Sequence, residues 1–99
     1  MKLLPTALRN RIPLLYATED EPDPTVWAKF VCRISGWEWY VIEFDGADIC
    51  FGWVKGFEPE LGYFSLAEIA SIHELGGTSV VLRDPHFAPC PLSQVKQHA

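Results

Sequence analysis

Three carboxylates, Glu43, Asp45 and Asp48, fall close together around an Asp-Gly pair. Clustered carboxylates can do acid–base work or hold a divalent cation. Asp45 and Asp48 are equally the residues that make turns. Glu43 has a candidate ion-pair partner in Lys29, so structural use is the favoured reading of all three. His86 and Cys90 stand four apart, with His73 and His98 as conceivable companions. Structural zinc sites use tighter paired spacings, and the surrounding prolines work against a helical arrangement. No metal and no cofactor is expected. His73 reads as a hydrogen-bonded structural histidine, because no partner residue accompanies it. Phosphate-loop, nucleophile-elbow, paired-histidine and kinase patterns are all missing. An enzyme is therefore the less favoured class; it would have to use Glu43, Asp45 and Asp48, or Glu58 and Glu60, in one pocket.

The other residues with chemical weight are aromatic and basic. Trp27, Trp37 and Trp39 fall on one side of the strands they occupy if the chain is read by alternation. Exposed Trp and Arg are enriched where interfaces derive their energy. The candidate interaction set is Trp39, Arg33, Lys29, Glu43 and Trp37. The competing reading is that a helix or the N-terminal segment covers these rings as core.

Positioning them falls to a sheet. Residues 25–35, 37–45 and 48–57 are rich in aromatic and β-branched residues. Ser35-Gly36 and Asp45-Gly46-Ala47-Asp48 separate them, and Asp-Gly is a strong hairpin signal. An odd-length loop around Gly36 places Lys29 opposite Glu43 and Arg33 opposite Trp39, as an ion pair and a cation–π contact. Val26, Phe30, Cys32, Ile34, Tyr40, Ile42, Phe44, Ile49, Phe51 and Trp53 then form an apolar face. The site residues share the other, mixed face. Gly52, inside the third run, reads as the mark of a bulge.

The flanks are helical or irregular. Leu4, Leu8 and Ile12 recur at helical spacing after Thr6 as N-cap, and Pro13 ends the helix. Residues 19–24, acidic with two prolines, form a solvated loop. Ser65-Leu66-Ala67-Glu68 is a capping box opening a helix through Leu66, Ile69, Ala70, Ile72 and His73, with Gly76 as its stop. Residues 79–83 read as a short fourth strand, and a last helical turn follows at 92–96. The expected fold class is α+β: an antiparallel meander of three long strands plus a short fourth, with helices packed on one face. The 99 residues make one domain, 1–99.

A net charge of −5 argues against nucleic-acid binding through a broad basic surface, although Arg9, Arg11, Lys29 and Arg33 could form a local strip. Three cysteines, Cys32, Cys50 and Cys90, an odd number without a Cys-x-x-Cys pair, suggest reduced thiols and a cytoplasmic location. No apolar run is long enough for a membrane span.

Residues 37–46 resemble the central motif of an uncharacterised bacterial family, the domain-of-unknown-function group number 2958. Residues 51–66 are similar to its second block. The opening Leu3-Leu4-Pro5 with Ile12-Pro13-Leu14-Leu15-Tyr16, and the closing Arg83-Asp84-Pro85-His86-Phe87 followed by Pro89 and Pro91-Leu92, extend the resemblance over nearly the whole chain. Cys50 and Trp53 depart from it. The resemblance implies an accessory protein of plasmids and integrative elements, and no catalytic residue. The expected function is a small protein-interaction module of a mobile genetic element, acting on a host or element protein through the mixed face. A narrower form is an inhibitor of host defence of the anti-restriction or anti-CRISPR type.

Overall fold

The computed structural model describes residues 3–72 and 79–98. Helix α1 (Thr6–Arg9) is one turn long. It starts at Pro5 rather than at a capping Thr6, with no side-chain bond to the cap. It stops early because Arg11 and Ile12 bond back three residues, to Leu8 and Arg9, a tightening typical of helix ends. Leu3, Leu4 and Ile12 are buried around it.

The run read as one first strand is broken at Trp27 into β1 (Thr25–Val26) and β2 (Ala28–Cys32). Then come β3 (Glu38–Phe44), β4 (Ile49–Lys55) and β5 (Pro59–Ser65), the last of which the sequence had hidden in an apparent loop. Helix α2 (Leu66–Ala70) follows, with Ser65 as its cap: the Ser65 hydroxyl accepts from the Glu68 N–H at 3.1 Å. Strand β6 (Val81–Arg83), the short β7 (Cys90–Pro91) and helix α3 (Leu92–His98) close the chain. The expected His73 and Gly76 positions lie outside the described residues.

The main sheet has the order β5-β4-β3-β2-β6, and every neighbouring pair is antiparallel. The α+β antiparallel class therefore stands, with β5 as an added long strand and β6 joined at the far edge. Strands β1 and β7 form a separate two-stranded ribbon. Helices do not sit on one face alone. Ile69 of α2, with Leu3, Leu4 and Ile12, packs against Phe30, Cys32, Trp39, Val41, Phe44, Cys50 and Phe64. Leu92 and Val95 of α3 pack on the opposite face, with Val26, Tyr40 and Ile42.

The first hairpin takes a different register from the one the charges suggested. Lys29 pairs with Tyr40, Phe30 with Trp39 and Val31 with Glu38, across an even loop in which Gly36 has φ +80°. Phe30 and Cys32 therefore share a face with Trp39 and Val41, not with Tyr40 and Ile42. Magnitudes explain the choice. An exposed Lys–Glu pair contributes at most about 1 kcal/mol. Burying a large side chain contributes roughly 1.5–3 kcal/mol, and here Trp39 falls to 5% exposure and Val41 to 0%.

Candidate functional site

A β-bulge in β3 shapes one of the concavities among the described residues. Val41 pairs with Gly52, but Glu43 pairs with Phe51, so Ile42 is an extra residue on β3. Bulges re-aim side chains and interrupt strict alternation. Here the bulge brings Glu43 to the same pocket as Ile42 and Phe51, while Phe44 crosses to the other face beside Cys50. Gly52 is required opposite the bulge: a Cβ there would stand 1.7 Å from the Tyr40 carbonyl oxygen. The sequence reading of that glycine is correct.

Glu43 is only 3% exposed. A buried carboxylate is costly without partners. Its partners are one loop: Oε1 accepts from the Tyr16 N–H at 2.8 Å, and Oε2 from the Thr18 N–H at 2.9 Å and from the Thr18 hydroxyl. Hydrogen bonds to a charged acceptor contribute about 1.5–3 kcal/mol each. They hold Tyr16 at φ 71°, a left-handed conformation that costs a residue other than Gly about 1–2 kcal/mol. Such strain persists only where the surroundings enforce it. The Phe44 N–H, bonded to the Pro13 carbonyl at 2.9 Å, tethers the start of the same segment to β3.

The loop presents its ring to those of the sheet. Tyr16 and Tyr63 have centroids 6.5 Å apart, and Phe51 and Tyr63 5.0 Å apart. Tyr16, Tyr63 and Leu61 stay exposed at 62%, 54% and 46%. With Glu19, Glu21, Pro22, Glu43 and Lys96 they border a cavity of about 300 Å³. The Lys96 ammonium lies over the Trp53 ring, 4.7 Å from its centroid. The Tyr63 phenol is pushed up from its ordinary range by loss of solvent, then by the neighbouring Tyr16 hydroxyl and the Glu43 and Glu19 carboxylates. The rings and the Glu19 and Glu21 carboxylates of this rim attract a positively charged group, and the Lys96 ammonium on the same rim opposes one.

The five expected site residues do not converge. Trp39 is in the core, beneath the N-terminal segment and α2. Trp27 and Trp37 share its face, as alternation predicted, and pack against the same core, so the mixed face expected to be open is largely covered. Trp37 is half-buried, its ring lying against Gly56 and edge-on to Phe57 at 5.1 Å. Glu43 faces the pocket just described. Lys29 meets Glu38 at 3.8 Å rather than Glu43, and its ammonium lies 5.6 Å from the Tyr40 ring centroid. Arg33 is exposed and away from Trp39's buried ring.

The expected carboxylate cluster is likewise divided. Asp45 Oδ1 accepts from the N–H groups of Ala47, Asp48 and Ile49, which holds its carboxyl below the ordinary range. Asp48 accepts from the Ser65 hydroxyl and the Ala67 N–H at the start of α2. Both are turn and cap residues. Among the described residues no group of three His, Cys, Asp or Glu side chains is placed to hold a metal ion, and no helix is long and apolar enough to cross a membrane.

Sequence reasoning missed Tyr16, Leu61 and Tyr63. The available signal was Gly52: a bulge opposite it removes strict alternation from β3, and with it the argument that Glu43 shares a face with Trp39.

No curated protein and no solved structure matches the chain. A family described as "Protein of unknown function (DUF2958)" matches residues 3–99, the family and nearly the whole-chain extent that the resemblance implied. The chain is a member of that family.

Proposed function

We propose that this protein is a small interaction module that seats a basic side chain of a partner protein in the Tyr16–Tyr63 pocket. One observation carries the reading: exposed rings and carboxylates border a concavity whose shape is fixed by the buried Glu43. A rigid rim keeps the entropy lost on binding small. Tyrosine supplies large contact area together with a polar end. Glu19 and Glu21 outnumber Lys96 on the rim and leave it the negative field that a Lys or Arg head requires, and the overall charge of −5 favours encounter with a basic partner. The partner is sought among host proteins and proteins of a mobile element, the habitat the family resemblance implies. An inhibitor of host defence is one form such a module takes.

The experiment is zero-length carbodiimide cross-linking in cells of the source organism, read by mass spectrometry. It joins carboxylates to amines in contact. The reading expects a partner lysine linked to Glu19 or Glu21, and loss of that product in the Tyr16→Asn/Tyr63→Thr double variant. Asn tolerates the left-handed backbone at 16, and Thr keeps strand propensity at 63. A partner bound equally well by the folded double variant overturns the assignment.

A further inference from the structure

The two edges of the main sheet differ. β6 is three residues long, a common way of blunting an edge. β5 is seven residues long, and among the described residues nothing pairs with its outer side. Which of its backbone groups face outward follows from the ladder. The Leu66 N–H bonds to the Asp48 carbonyl at 3.0 Å, in line with the pairing Ile49–Ser65 through Lys55–Pro59. Bonded pairs recur every second residue in an antiparallel ladder. Phe64, Gly62 and Glu60 therefore aim their N–H and C=O groups at β4, and Leu61 and Tyr63 aim theirs away from the sheet. The β3–β4 side agrees: the Asp45 N–H bonds to the Ile49 carbonyl, which leaves the alternate β4 residues, Cys50 and Gly52, for β5.

We propose that the outer edge of β5 pairs antiparallel with the same edge of a second copy of this chain, centred on Gly62. The strand is self-complementary in this register. Leu61 stands opposite Tyr63 of the partner and Tyr63 opposite the partner's Leu61, so the outward-facing groups of both residues exchange hydrogen bonds across the two-fold axis. Gly62 meets its own copy at a closely spaced, non-bonded position, where the absence of a side chain is an advantage. Glu60 falls opposite Phe64, so no like charges face each other. Leu61 and Tyr63 present their side chains on the pocket face in both copies, an apolar–aromatic cross-strand pair of the stabilising kind. Shifting the centre to Leu61 sets the missing N–H of Pro59 against Tyr63; centred on Gly62, it falls against Ser65 at the end of the strand, where strand ends fray. The result is one continuous sheet through both subunits, with the two pockets side by side on one surface. This inference does not rest on the function proposed for the pocket.

Light scattering after size-exclusion chromatography tests it directly. The intact chain should run as a dimer, at twice 11.2 kDa. Leu61→Pro removes an outward N–H while sparing the bonds to β4. It should raise the dimer dissociation constant at least about tenfold and leave the far-ultraviolet circular dichroism unchanged. Should that variant not fold, Gly62→Cys in a Cys90→Ser background reads the register independently. A Cβ at 62 meets nothing within 4 Å, and facing Cα atoms of a non-bonded pair lie within disulfide reach, about 4.4–6.8 Å. It should give a disulfide-linked dimer on mild oxidation, and Phe57→Cys, fully open to solvent, should not. A monomeric wild type overturns the proposal. So does a dimer that persists in folded Leu61→Pro, and so does a dimer in which Gly62→Cys fails to cross-link.

Discussion

The two faces of one sheet have divided the work of this molecule. On one face, Phe30, Cys32, Trp39, Val41, Phe44, Cys50 and Phe64 form an apolar core roofed by the N-terminal segment and α2. On the other, a smaller cluster of Val26, Tyr40, Ile42, Leu92 and Val95 sits beside a buried carboxylate, a strained loop and an open pocket. The bulge at Ile42 is the point where the division is made. Upstream of it alternation assigns Trp39 and Val41 to one face and Tyr40 to the other. Downstream it supplies the pocket with a carboxylate that strict alternation would have sent to the core. A uniform apolar face holds the fold together; a face with one satisfied charge shapes a surface.

The division between the faces is most vulnerable at the bulge. Gly52→Ala drives a Cβ into the Tyr40 carbonyl, so a loss of more than about 4 kcal/mol is expected, or outright failure to fold. Urea denaturation reads it. Next is the Trp39 face. Trp39→Ala should cost about 3–5 kcal/mol, and Arg33→Ala almost nothing, by the same assay. Equal, small effects of the two would mean that Trp39 is a surface residue after all.

On the pocket face, Glu43→Gln keeps the shape but turns a donor toward one of the N–H groups of Tyr16 or Thr18. About 1–3 kcal/mol should be lost, with faster hydrogen exchange confined to the 14–21 loop. Global loss without that signature would assign Glu43 to the core proper.

Tyr40 should have a smaller effect. Its hydroxyl donates to Glu38 at 2.6 Å, and burial first, then that bond and the carboxylate charges, push its phenol well above the ordinary value of 10.0. The folded state thus holds its proton more tightly than the unfolded chain. The associated stability is complete below about pH 10 and is lost as pH rises beyond it. Tyr40→Phe should cost about 1 kcal/mol at neutral pH and flatten the alkaline decline in melting temperature.

The division also accounts for what could be read without a structure. The three strand-like runs, the Asp45–Asp48 turn and the Ser65 cap follow from local chemistry and were legible. So was the shared face of Trp27, Trp37 and Trp39. The register of the first hairpin was not, because the argument weighed a Lys29–Glu43 pair above the burial of Trp39 and Val41. β5 escaped notice because Pro59, Glu60 and Gly62 lower its strand propensity; an edge strand tolerates such residues because one side forms no ladder. The pocket was the least legible feature. It depends on a loop more than twenty residues before Glu43, and no local pattern in residues 14–21 announces that their N–H groups will find a carboxylate.

The proposed function assigns partner contact to the pocket face rather than to the Trp39 face. The most direct measurement is partner retention, quantified by mass spectrometry against isotopically labelled wild type, for Tyr16→Asn/Tyr63→Thr and for Ile34→Ser, an exposed change on the other side of the molecule. Retention should fall at least about tenfold for the pocket variant and stay full for Ile34→Ser, with both proteins folded. Retention by the pocket variant together with loss in Ile34→Ser would contradict that assignment.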